Sequence, residues 1–167
     1  MNDRLITQTK TTRNGYAKYG RGLPCEDFRC ITCHYPISGL SLVSGVHHRN
    51  HCPYCLWSRC LDLYTPGDRL SACKSAMQPV GLTLKHVNKK YASQKPGELM
   101  LVHRCLTCGK FSINRLAADD DPQAVLETFR VSLAMDPSIR SDLAQKNIVA
   151  LQHSDYYLLK TRLYGKN

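Results

Sequence analysis

The stretch Arg49-Asn50-His51-Cys52-Pro53-Tyr54-Cys55 decides how the chain is read. Its Cys52-x-x-Cys55 tetrapeptide suits either a glutaredoxin-like redox dithiol or a metal-holding turn. The redox setting requires an apolar strand before Cys52 and a helix after Cys55. Residues 44–51, Ser-Gly-Val-His-His-Arg-Asn-His, form a polar turn instead. Upstream lies a second pair, Cys30-x-x-Cys33, with eighteen residues between Cys33 and Cys52. Two such pairs at that separation match a four-cysteine zinc site, in which each turn aims two sulfurs at one ion and two turns complete a tetrahedron. Cys30, Cys33, Cys52 and Cys55 are therefore expected to share one Zn²⁺.

A second constellation lies further along. Cys105-x-x-Cys108 needs two more ligands, and no fourth Cys-x-x-Cys exists. Cys60 and Cys73 are available, and the favoured second site is Cys60, Cys73, Cys105 and Cys108. His103, two residues before Cys105 on the same strand face, is the alternative to Cys60. Cys25 reads as a free thiol, and His34, His47, His48, His51, His86 and His153 as surface or hydrogen-bonding residues. The expected cofactor is thus two Zn²⁺ per chain, with Arg29, Arg59 and Arg104, next to ligands, as candidates to offset thiolate charge.

Nine cysteines in 167 residues, an odd number, argue against a closed disulfide framework. The N-terminus carries no apolar run like a signal-peptide core, and no stretch of about 18 apolar residues occurs, so a cytoplasmic location is expected. Charge is uneven. Residues 1–116 carry 17 Lys and Arg against 6 Asp and Glu, and residues 117–167 carry 6 against 7. Two four-thiolate zinc sites would lower the formal +10 to about +6, which leaves the chain basic. Basic charge concentrated in one part of a small protein points to a polyanion, nucleic acid first.

Three segments are expected. Residues 1–24 form a basic, flexible and extended tail, in which Lys10, Arg13, Lys18 and Arg21 could track a phosphate backbone while Tyr16 and Tyr19 stack on bases. Residues 25–121 form a double zinc-ribbon module of short strands, with strands at 98–104 and 110–113 around the Cys105 turn and a protruding basic loop at 88–97 carrying Lys89 and Lys90. Residues 122–167 form a helical segment: acidic caps followed by Pro122 and Pro137 start helices running to about 135 and 147, and a third covers 155–164. Val125, Phe129 and Leu133 fall on one face of the first, as core or as a docking surface. The fold class is small mixed α+β, a zinc-ribbon-like β module stapled by two zinc sites and followed by α-helices.

Taken together, Cys30 and Cys33, RNHCPYCLWS at 49–58, PGDR at 66–69, Cys73, HRCLTCG at 103–109 and NRLAADDDP at 114–122 resemble the bacterial RNHCP domain family. In that family the position of Cys60 is usually histidine. Because cysteine and histidine exchange readily as zinc ligands, the resemblance favours Cys60 as a ligand over His103. It implies a cytoplasmic bacterial zinc protein and no particular reaction.

The leading functional expectation is a non-catalytic protein that binds structured RNA at the ribosome, as a translation, ribosome assembly or hibernation factor or an accessory ribosomal protein. Arg49 and Arg115 would contact phosphate beside the metal turns, and Arg69 would be exposed by the Pro66-Gly67 turn. The opposing reading has Asn50 and His51 hydrogen-bonding within the turn to hold it. Alternatives are a metal-dependent nuclease using His47, His48, Asn50 and His51, a DNA-binding regulator, and a protein-interaction adapter docking through its helices. A zinc deaminase is disfavoured, since no His-x-Glu occurs and Pro53 follows Cys52 rather than preceding it.

Overall fold

A computed structural model describes residues 27–85 and 97–165. The chain opens with a two-stranded antiparallel hairpin, β1 (Phe28–Arg29) and β2 (Pro36–Ile37), closed over the first cysteine pair. A single helical turn, α1 (Ser41–Ser44), follows. The main sheet is antiparallel with strand order β3 (Ser58–Arg59), β4 (Ala76–Lys85), β5 (Glu98–Cys105) and β6 (Phe111–Arg115). Helices α2 (Pro122–Leu133), α3 (Pro137–Gln145) and α4 (Tyr156–Tyr164) complete it, the last entered through a 3₁₀ turn at His153–Asp155. The expected class, small mixed α+β with cysteine-bearing turns and C-terminal helices, is the observed one.

The helix starts follow from local chemistry. The Asp121 side chain accepts from the Gln123 amide and Pro122 occupies the first turn, where its missing N–H costs nothing. Asp136 and Pro137 repeat the device for α3, with Asp136 accepting from the Ser138 amide. Strand β4 was hidden in the sequence because Gln78-Pro79 and Gly81 interrupt its apolar residues. The ladder to β5 shifts register between Pro79 and Gly81, and that irregularity is where a proline can sit. Gly81 also lets α2 approach: a Cβ there would lie 3.1 Å from the Ser132 Cβ.

β5 is buried on both faces. Leu99 and Leu101 join Leu82, Val125, Leu126, Phe129, Leu151 and Leu159 in the principal core, while Val102 points the other way, among Phe111, Leu143 and Ala150. The apolar helix faces are therefore core. Val125, Phe129 and Leu159 are at most 1 % exposed, and 122–167 supplies five of the nine buried residues of the principal core, so the face of Val125 and Phe129 is core rather than docking surface. Leu56, fully buried in the same core, anchors the Cys52 turn to the sheet. Among the described residues no helix is long and apolar enough to cross a membrane.

Candidate metal centres

Four turns carry the eight described cysteines, and three of them share one backbone pattern. The amide of the first cysteine donates to the carbonyl five residues on, and the residue four positions on donates back to that cysteine's carbonyl: Cys30 with Tyr35 and His34, Cys52 with Trp57 and Leu56, Cys105 with Lys110 and Gly109. The returning residue sits in the left-handed region in each case, at φ 61° for His34, 60° for Leu56 and 70° for Gly109. Two of these are not glycine, and such a conformation persists only where surrounding bonds enforce it.

The fourth turn is the same device with a loop inserted. Cys60 N donates to Ser75 O and Lys74 N returns to Cys60 O, with Lys74 at φ 49°. Cys60 and Cys73 thus occupy the two cysteine positions of a turn although they lie thirteen apart in sequence rather than three. Sequence spacing misses this turn because the inserted loop hides it.

The turns pair into two quartets, Cys30, Cys33, Cys52 and Cys55, and Cys60, Cys73, Cys105 and Cys108, with all sulfurs of a quartet within 4.8 Å of one another. In the first, Cys30 and Cys55 Sγ are 3.5 Å apart, and Cys33 lies 3.6 Å from Cys52 and 3.7 Å from Cys55. In the second, Cys60 to Cys108 is 3.8 Å and Cys73 to Cys105 is 3.6 Å. A tetrahedron with metal–sulfur bonds of about 2.3 Å has edges of about 3.8 Å, so both quartets have the size of a zinc–thiolate cage. All eight are free thiols, too far apart for disulfides.

Within the quartets burial and backbone amides pull the thiols in opposite directions. Burial is the largest influence on each buried thiol and pushes Cys52 up to about 11 and Cys60 to about 12. At Cys30 burial is outweighed by the Cys33 and Thr32 amides, both 3.4 Å from its sulfur, which bring it down to about 7. Cys105 is likewise brought to about 7, burial being outweighed by the Cys108 and Thr107 amides. Ser71 Oγ lies 3.5 Å from Cys60 Sγ. Charge relief thus comes from amides and a hydroxyl rather than from Arg29, which donates to His34 O, or the exposed Arg59.

His103 lies outside the second quartet. Its Nε2 is 2.7 Å from Leu56 O and its Nδ1 2.8 Å from Asn114 Nδ2. A carbonyl only accepts, so Nε2 carries the proton and Nδ1 accepts from the Asn114 amide. Both ring nitrogens are used, and Cys60 rather than His103 completes the quartet.

The Arg49-Asn50-His51 segment forms a buried clamp. Arg49 Nη1 contacts Asp119 Oδ2 at 2.7 Å and Nη2 contacts Asp120 Oδ1 at 3.1 Å, while Nε donates to His51 O at 3.1 Å. His51 Nε2 lies 2.9 Å from Asp120 Oδ2, which also accepts from the Ala117 amide. The clamp fastens the Cys52 turn to the segment that starts α2.

The RNHCP domain model matches residues 25–126 of the chain. The chain belongs to the RNHCP domain family. No curated protein and no solved structure matches it.

In this RNHCP protein the motif residues Arg49 and His51 hold the fold. Arg49 is 2 % exposed and ion-paired, so it is sealed away from the phosphate expected of it. Asn50 O accepts from Ser58 Oγ and His51 Nε2 meets Asp120, contacts that hold the turn. Arg69 reaches Asp62 at 3.6 Å and donates to Arg49 O, and Arg115 pairs with Glu98 at 2.6 Å on the exposed face. Lys10, Arg13, Lys18, Arg21, Cys25, Lys89 and Lys90 lie outside the described residues. Signals that could have found the clamp were present: an arginine before the cysteine pair and three consecutive aspartates before Pro122.

Proposed function

We propose that the protein is a non-catalytic RNA-binding protein whose two cysteine quartets each hold one Zn²⁺. In this reading Cys30, Cys33, Cys52 and Cys55 hold the first ion, and Cys60, Cys73, Cys105 and Cys108 the second. When bound, each ion supplies a cross-link between two turns and no reactive chemistry, since four thiolates leave no open position. The size of both quartets supports zinc, and tetrahedral sulfur sites suit zinc over harder cations.

The observation that supports RNA is the charge. With both quartets loaded the chain keeps about +6, concentrated before residue 117, and a basic surface on a small metal-stapled scaffold suits phosphate backbone. Compact zinc modules recognise structured and unpaired RNA by shape, backbone contact and stacking, and ribosomal RNA is the RNA we propose. A cytoplasmic location and a role in translation or ribosome assembly belong to the same proposal. Catalytic use of the histidines is disfavoured by their commitments: His51 is held by Asp120, and His103 by Leu56 and Asn114.

Sedimentation of cell extracts tests this reading. The protein is expected to travel with ribosomal particles at low salt and to leave them at high salt, as contacts made by neutralising phosphates do. A protein that stays at the top of the gradient at low salt, or RNA affinity indifferent to ionic strength, would overturn it.

A further inference from the structure

The loop inserted into the fourth turn does more than join Cys60 to Cys73. A cavity of about 190 Å³ opens between residues 61–66 of that loop and the edge of the sheet, next to the second quartet. Leu61, Met77 and Ile113 make it largely apolar, with Ser112 and Asn114 contributing polar groups. That volume holds one small ring system rather than an extended ligand. Asn50 also lines it, and the Asn50 Oδ1 is buried without a hydrogen-bond partner among the described residues.

The loop is held far more firmly than joining two cysteines requires. Asp68 accepts from the amides of Leu63, Tyr64 and Thr65 at 2.8, 2.8 and 2.9 Å. Lys110 Nζ donates to the carbonyls of Asp62 and Leu63 at 2.7 and 2.8 Å. Gly67, at φ 89°, lies against His48: a Cβ there would come within 2.6 Å of the ring. Yet this fixed loop presents Tyr64 with 82 % of its surface in water. An aromatic side chain on a backbone already ordered loses little further freedom when something stacks on it.

Two cations stand at the cavity. Arg59, exposed and in no ion pair among the described residues, and Lys110 both line it. Asp62 also lines it, its oxygens accepting from the Gly67 and Arg69 amides, and Asp68 accepts from loop amides. An apolar slot for one ring, an exposed tyrosine at the loop and two cations form a recurrent pattern for unpaired nucleotides.

We propose that this cavity receives a single unpaired RNA nucleotide, its base entering beside Tyr64 and its phosphate lying toward Arg59 and Lys110. The proposal rests on the RNA-binding reading above and names where on the protein one base is held.

The test uses the zinc-loaded full chain, titrated with adenosine and uridine 5′-monophosphates and with short single-stranded oligoadenylate and oligouridylate. Amide NMR signals and fluorescence anisotropy are read for wild type, Tyr64→Ala and Arg59→Glu. Both side chains are exposed, so zinc content and the bulk of the spectrum should be unchanged in the variants. The monophosphates are expected to shift signals of Leu61–Thr65, Lys110 and Ser112. Tyr64→Ala should weaken oligonucleotide binding at least fivefold with the salt slope kept, and Arg59→Glu should weaken it with the slope reduced. Equal binding of oligonucleotides by wild type and Tyr64→Ala, with shifts elsewhere, would overturn the cavity and leave the RNA-binding reading standing. If no RNA binds at low salt, that reading fails, and the monophosphates alone then decide: shifts at these residues keep the cavity as a nucleotide site, and their absence removes it.

Discussion

Arg49 and Asp120, seventy-one positions apart, meet at 3.1 Å with side chains 1 % and 2 % exposed. The pair joins the Cys52 turn to the entry of α2, and Asp119 and the His51 ring close around it. Removing the arginine would leave buried carboxylate without its counter-charge, which costs about 3–5 kcal/mol. Arg49→Met is expected to lower stability by that order in urea unfolding. Arg49→Lys should recover only part of it, because one ammonium cannot reach Asp119, Asp120 and the His51 carbonyl together. Equal stability of Arg49→Met and wild type would show the clamp to be idle.

His103 sets an acid limit on stability. Burial lowers it from 6.5 to about 3, against an opposing pull from the Leu56 carbonyl and with a further lowering from the nearby His51. Below about pH 6.5 the unfolded chain therefore takes up a proton that the folded chain refuses, and stability falls as pH drops from 6.5 toward 3, by up to about 1.4 kcal/mol per pH unit. His103→Gln removes this titration and keeps a donor and an acceptor on the side chain. Denaturant unfolding between pH 6.5 and 5 should show a shallower pH slope for the variant, and acid loss of metal, common to both proteins, does not produce that difference. Parallel slopes would contradict the neutral buried histidine.

The helices are core, and their removal should unfold the sheet rather than release a free ribbon. Phe129→Ala, at a position 1 % exposed, is expected to cost about 3–5 kcal/mol. A truncation ending at residue 122 would strip Val125, Phe129 and Leu159 from the principal core. It should lose the dispersed amide spectrum even with zinc in excess. A folded truncation would show the cysteine turns to be an independent unit.

Much of this was legible in the residues. Cys-x-x-Cys spacing alone delivered three of the four turns, and the Asp-Pro caps placed α2 and α3 within a few residues of their observed ends. What stayed hidden had physical causes. Strand β4 is broken in sequence by Pro79 and Gly81, whose places in the sheet depend on a register shift and on the approach of α2. The fourth turn is disguised by its inserted loop, which sets Cys60 and Cys73 thirteen positions apart rather than three. Arg49 misled because a basic residue beside a metal turn looks like a phosphate contact until its distant carboxylates are located. Long-range charge pairing leaves no periodicity to read.

The most direct measurement of the central claim is the metal content of the purified full chain, read by elemental analysis and by spectrophotometric titration of released ion. Two Zn²⁺ per chain are expected, two in His103→Gln and one in Cys60→Ser, with the remaining ion held by Cys30, Cys33, Cys52 and Cys55. One ion per wild-type chain, or two retained by Cys60→Ser, would contradict it.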